Sequence, residues 1–155
     1  MHSGSDRPGP VERAGARTEA QLGAVLVVDD HEVNRRLCAA YCDLLNLSCE
    51  LAASGAEAVA AVQRARFDLV LMDIQMPGMS GIEATLAIRA LPGPAGQVPI
   101  IAVTSDVDPA DREAYRASGM ADVVAKPFSA ARLFKAISDV MGLARTEPRS
   151  WADQG

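Results

Sequence analysis

The chain has 155 residues, 49% of them hydrophobic and 23% charged, which suits one domain with a full core and argues against a multidomain enzyme. Fifteen Lys and Arg against twenty Asp and Glu leave a net charge of -5, so the broad positive field that would hold nucleic acid or an anionic membrane is missing. No apolar run approaches the roughly 18 residues of a spanning helix, and Met1 to Gly23 lacks the apolar middle of a signal peptide, so a cytoplasmic location is expected.

In chain order, residues 1–22 are rich in Gly, Pro, Ser, Arg and Glu and hold almost no large apolar side chain, which predicts a disordered arm or linker. The folded part is expected over 23–142, followed by a flexible tail over 143–155. Strands are predicted at Ala24 to Val28, Cys49 to Ala52, Leu69 to Met72, Ile100 to Thr104 and Val123 to Ala125. Between and after them, helices are predicted at Val33 to Leu45, Gly55 to Arg64, Gly81 to Leu91, Pro109 to Ser118 and Ala130 to Met141. Ser54 with Glu57 and Ser80 with Glu83 read as capping boxes, and Asp108 before Pro109 reads as an N-cap with proline at the first helical position. In the last helix Leu133, Ile137, Val140 and Met141 form one apolar stripe, and Gly142 suits its C-cap. Strands that are apolar throughout and alternate with helices predict an α/β fold, a doubly wound five-stranded parallel sheet covered on both faces.

In such a fold the site lies at the carboxyl ends of the strands. Here those ends carry Asp29-Asp30, Asp73, Thr104-Ser105 and Lys126-Pro127. Taken singly, Asp29 or Asp30 could cap the next helix and Thr104 could close a strand with a backbone hydrogen bond. Together they put three carboxylates, a hydroxyl and an ammonium on one edge. Clustered carboxylates repel unless a cation is shared, and hard oxygen donors suit Mg²⁺, so Mg²⁺ is the expected cofactor.

Val27-Val28-Asp29-Asp30-His31-Glu32-Val33-Asn34-Arg35, the stretch Asp68-Leu69-Val70-Leu71-Met72-Asp73-Ile74-Gln75-Met76-Pro77-Gly78-Met79-Ser80-Gly81, Thr104, and Lys126-Pro127-Phe128 together resemble the receiver domain of two-component response regulators. The resemblance covers about Gly23 to Gly142. It implies a flavodoxin-like strand order 2-1-3-4-5 and a phosphoacceptor at Asp73, loaded from a phosphohistidine on a histidine kinase or histidine phosphotransferase. It further implies Mg²⁺ held directly by Asp30 and Asp73, by Asp29 through water and by Gln75 through its backbone carbonyl. Thr104 would hydrogen-bond a phosphoryl oxygen, Lys126 would neutralise another, and Pro127 would follow a cis peptide bond. Gln75 and Asp106 resemble positions that set how readily water reaches the acyl phosphate, although Asp106 could equally begin the turn into the next helix.

The chain departs from the family at Val123, three residues before the lysine, where receivers often carry Tyr, Phe or His whose rotation accompanies activation. Activation without that rotation is therefore expected. Cys38, Cys42 and Cys49 form an odd set with no fourth metal ligand in view and read as small buried side chains, while His31 reads as solvated. Met72, Met76 and Met79 lack helical spacing and read as loop packing. Two other functions share the site chemistry: a Mg²⁺-dependent hydrolase with an aspartyl nucleophile, and an interaction module that no longer accepts phosphate. The first would place an acid two residues after the nucleophile, where Gln75 stands; the second conflicts with an intact residue set. After Met141 the chain is too short for an output domain, so signalling is expected to leave through protein contacts on the fourth helix, fifth strand and fifth helix, without nucleic-acid contact or membrane insertion. The run from Asp30 to Arg35 resembles receivers attached to hybrid histidine kinases, which leaves open a fragment of such a kinase or a free-standing receiver.

Overall fold

The computed structural model describes residues 21–142; most of the expected arm and all of the expected tail lie outside the described residues. Five strands and five helices alternate: β1 (Gly23–Val28), α1 (Glu32–Leu44), β2 (Leu47–Ala52), α2 (Gly55–Arg64), β3 (Leu69–Asp73), α3 (Gly81–Arg89), β4 (Ile100–Thr104), α4 (Pro109–Ser118), β5 (Asp122–Ala125) and α5 (Ala130–Met141). The strands form one parallel sheet in the order β2-β1-β3-β4-β5, as the resemblance implied. Strand alternation sends Val25 and Val27 to a core shared with α1 and α5, and Leu26 and Val28 to one shared with α2, α3 and α4. Both faces are covered, which is why β1 and the bodies of β3 and β4 are apolar, while the edge strands β2 and β5 carry Ser48, Glu50 and Asp122. Among the described residues no helix is long and apolar enough to cross a membrane.

Several local signals act differently from the sequence expectation. β2 begins at Leu47 rather than Cys49, because pairing with β1 starts at Gly23 opposite Leu47. Likewise β3 runs through Asp73, and β5 starts at Asp122, a buried carboxylate whose Oδ1 accepts the Val123 N–H at 2.7 Å. The third helix stops at Arg89, and a 3-10 turn at Gly93–Gln97, unseen in the sequence, leads into β4. Ser80 and Glu83 form the complete capping box. The Ser54 hydroxyl accepts the Glu57 N–H at 3.1 Å, but Glu57 reaches Ala53 N rather than Ser54 N, so that box closes one residue early. Asp108 makes no side-chain cap, and Pro109 alone sets the entry to α4. Ser129, which the sequence reading passed over, caps α5 by accepting the Arg132 N–H at 3.1 Å. Gly142 takes the left-handed C-cap at φ 69°. Of the methionines, Met72 is a core residue of β3 rather than loop packing, whereas Met76 and Met79 pack from the following loop.

Candidate functional site at the strand ends

Strand order reverses about β1 and β3, so the crevice opens above their carboxyl ends. Register does the assembling. Val28 pairs with Met72, which carries Asp29 level with Asp73; Asp73 pairs with Val103, one residue before Thr104; and Thr104 pairs with Ala125, one residue before Lys126. Asp29, Asp73 and Thr104 are buried, and Asp30 is half-buried. The Lys126 Nζ lies 3.1 Å from Asp73 Oδ1 and 3.5 Å from Asp29 Oδ2, and the Lys126–Pro127 peptide is cis. Asp29 is fixed from its own loop: its Oδ1 accepts the His31 N–H at 2.9 Å, and its carbonyl accepts from Arg35 Nη1 at 2.7 Å. Gly81 packs so closely behind the site that an added Cβ would stand 2.3 Å from the Asp73 carbonyl oxygen. The small-residue requirement there is steric.

The electrostatics follow from this crowding. Burial and the neighbouring Asp29 charge push the Asp73 carboxyl above its ordinary range, and Lys126 only partly opposes them. For Lys126, burial favours the neutral amine, yet the hydrogen bond to Asp73 and the charges of Asp73 and Asp29 outweigh it and hold the ammonium above its ordinary value. It therefore stays charged. Asp30 Oδ1 is buried and accepts no hydrogen bond, and His31 Nδ1 lies 3.1 Å from it. One ligand atom from each of Asp29, Asp30, His31 and Asp73 lies within 4.8 Å of the others. A buried carboxylate oxygen without a donor, among hard oxygen ligands crowded on one side, fits a divalent cation.

Every sequence-predicted site residue thus reaches the same edge, and two residues the sequence reading left outside the site, His31 and Tyr115, join them. His31, read as solvated, is exposed but turns Nδ1 onto the acidic pair; its place directly after Asp30 was the available signal. Gln75 and Asp106 meet across the mouth, the Gln75 amide Nε2 donating to Asp106 Oδ2. Asp106 also donates its N–H to Thr104 Oγ1 at 3.1 Å and accepts from the Tyr115 hydroxyl at 2.7 Å. Tyr115 escaped the sequence reading, since nothing local ties α4 to Thr104. Cys38 and Cys42 are buried free thiols; burial pushes Cys38 up to about 12, and contact with Cys49 together with burial raises Cys42 further, so neither is poised as a ligand or nucleophile. Cys49 is half-buried on β2.

Comparison with known proteins bears on the whole arrangement. The family model described as the response regulator receiver domain matches residues 25–138. The sensor protein GacS of Pseudomonas syringae is 39% identical over 136 residues, covering 86% of this chain and 15% of GacS. Probable histidine kinase 4 of Oryza sativa is 38% identical over 138 residues, covering 76% of this chain and 14% of that kinase. The chain therefore spans a small part of these relatives' length. Among solved structures, the receiver domain of the Pseudomonas aeruginosa sensor histidine kinase PA1611, crystallised with a magnesium ion coordinated in its active-site cleft, superposes with a TM-score of 0.70 at 37% identity, covering 76% of this chain and 96% of that one. The chemotaxis protein CheY4 of Vibrio cholerae gives 0.71 at 32% identity, covering 75% and 96%. A family match across nearly the whole described fold, on a sheet of the implied order, means that this chain belongs to the response regulator receiver domain family.

Proposed function

We propose that the chain accepts a phosphoryl group from a phosphohistidine onto Asp73 and passes the signal on through protein contacts. The observation that carries this reading is a buried, charge-crowded Asp73 carboxylate held at 3.1 Å by Lys126, beside a half-buried acid whose Oδ1 lacks a hydrogen-bond donor. Phosphoryl transfer asks a protein mainly for in-line positioning and neutralisation of charge on the transferred group. A carboxylate oxygen of Asp73 attacks phosphorus, the phosphorus–nitrogen bond breaks, and the imidazole nitrogen leaves with the electron pair and takes up a proton. Lys126 balances one phosphoryl oxygen, and the Thr104 hydroxyl donates to another. Asp29, Asp30, Asp73 and the Gln75 carbonyl would hold Mg²⁺, with Asp29 acting through water. When bound, the ion neutralises carboxylate and phosphoryl charge.

The donor would be a histidine kinase or histidine phosphotransferase, which this chain would meet in the cytoplasm. A groove of about 370 Å³ beside the site is lined by Leu37, Cys38, Ser105, Lys126 and Phe128, and α1 exposes Val33, Leu37 and Leu44. An apolar helix presenting the phosphohistidine fits that surface. Hydrolysis of the acyl phosphate is slow in this reading, because Gln75, not an acid, stands two residues after Asp73 and is tied to Asp106. The test is incubation with acetyl phosphate and Mg²⁺. Intact-mass spectrometry should show one added phosphate on the wild type, none without Mg²⁺ and none on Asp73→Asn; labelling of Asp73→Asn would overturn the assignment.

A further inference from the structure

His31 follows the acidic pair directly and stands at the N-cap of α1, yet its side chain makes no cap hydrogen bond. Its position is set by the backbone: Asp29 Oδ1 accepts the His31 N–H at 2.9 Å, and Arg35 Nη1 holds the Asp29 carbonyl at 2.7 Å. So placed, the ring brings Nδ1 to 3.1 Å from Asp30 Oδ1 and 3.5 Å from Asp29 Oδ1. The nearer approach is not a hydrogen bond, since Asp30 Oδ1 is buried and has no hydrogen-bond partner. As an ion pair it is worth little, because the His31 side chain is 69% exposed. What the cluster shares is donor atoms: one oxygen each from Asp29, Asp30 and Asp73 and Nδ1 of His31, all within 4.8 Å of one another.

A hard ion such as Mg²⁺ takes oxygen and has no use for a nitrogen at this corner. An imidazole nitrogen beside carboxylates suits the borderline first-row ions, and four N/O donors are the number zinc takes. The distances agree with that geometry. Two ligand atoms each about 2.0–2.1 Å from a tetrahedral ion lie about 3.4 Å apart, which the 3.1 and 3.5 Å separations of His31 Nδ1 from its two neighbours bracket. The widest separation in the cluster, at most 4.8 Å, has to close by no more than about 1.4 Å, and an exposed ring can follow. We propose that His31 Nδ1, with one oxygen each from Asp29, Asp30 and Asp73, gives the site a second, four-coordinate mode that takes Zn²⁺. This rests on reading the three carboxylates as a divalent-cation site. In the zinc mode the protein fills all four positions, so none is left for the phosphoryl oxygen that the transfer reaction brings to the ion. Zn²⁺ therefore excludes phosphoryl transfer where Mg²⁺ supports it.

The full chain is titrated calorimetrically with Zn²⁺ and with Mg²⁺ as wild type, as His31→Ala and as His2→Ala, His2 being the chain's other histidine. In His31→Ala the ratio of Zn²⁺ to Mg²⁺ affinity should fall by at least the roughly tenfold that losing even a partner behind a metal ligand costs; in His2→Ala it should not move. A loss of packing would weaken both ions alike and leave the ratio unchanged. Co²⁺ reports the geometry, since its d–d absorption is strong when four-coordinate and weak when six-coordinate: the wild type should show the strong band and His31→Ala should lose it. Equimolar Zn²⁺ should also suppress the Mg²⁺-dependent phosphate labelling of wild-type Asp73 by acetyl phosphate. An unmoved ratio, a weak Co²⁺ band in the wild type, or labelling undiminished by Zn²⁺ overturns the zinc mode and leaves the proposed function standing. A wild type that shows the His31-dependent preference for Zn²⁺ but takes no phosphate with Mg²⁺ overturns the proposed function alone; binding of neither ion overturns both.

Discussion

Asp73→Asn should stabilise the metal-free protein, although it removes the ion-pair partner of Lys126. Asp29 and Asp30 each present an oxygen within 4.8 Å of Asp73, which at an effective dielectric constant near 20 is a repulsion of at least about 3.5 kcal/mol apiece. Lys126 at 3.1 Å attracts by about 5 kcal/mol on the same scale. Repulsion therefore exceeds attraction by about 1.5 kcal/mol before burial is added, in agreement with a carboxyl held above its ordinary range. Neutralising the side chain at pH 7 and low salt, with chelator present, should raise Tm by roughly 5 °C. Because the folded-state pKa is raised, Asp73 binds its proton more tightly in the folded protein than in the unfolded chain. Its destabilising ionisation develops as pH rises through the window between the unfolded and folded values and is relieved as pH falls. The advantage of Asn should accordingly shrink below the ordinary carboxylate range. Magnesium should invert the order. At about a hundred times its dissociation constant, a ligand that binds only the folded state adds about 2.7 kcal/mol, a gain the wild type takes up and Asp73→Asn, short of one ligand, largely forgoes. Thermal melts of both proteins with chelator and with Mg²⁺ check this; an Asn variant less stable in chelator, or an unchanged ranking in Mg²⁺, would refute the charge-crowding argument.

Further outcomes can be read from chemical denaturation and phosphate labelling. Ser80→Ala should cost about 1 kcal/mol by opening the capping box of α3, whereas Asp108→Ala, which removes no cap, should stay within about 0.5 kcal/mol of the wild type. Glu50 is buried on β2 with Arg64 as its ion-pair partner, so Arg64→Ala should destabilise by about 2 kcal/mol by leaving a buried carboxylate unpaired. Gly81→Ala forces a Cβ against the Asp73 carbonyl and should cost roughly 1–3 kcal/mol while also lowering phosphate incorporation, because the backbone bearing Asp73 must shift; a fully stable and fully labelled variant would contradict the packing.

Much of this protein is legible in one dimension because the signals are local and periodic. An apolar run bounded by turns announces a buried strand wherever it falls, and five of them alternating with helical patterns admit few arrangements other than a covered parallel sheet. Asp29-Asp30, Asp73, Thr104 and Lys126 each end or follow such a run, so their meeting at one edge follows from the rule that parallel strands all point the same way. Tertiary structure decided what depends on partners far along the chain. Edge pairing extended β2 back to Leu47, and the link after α3 coiled into a 3-10 turn packed against its neighbour, neither of which has a local signature strong enough to read. Whether a capping residue caps was likewise decided by the orientation of the incoming chain, which engages Ser80 and bypasses Asp108. Above all, α4 had to fold back over β4 before the Tyr115 hydroxyl could meet the Asp106 carbonyl. A hydrogen bond between residues nine apart in sequence depends on the packing angle of a helix on a sheet, and no property of either residue alone encodes that angle.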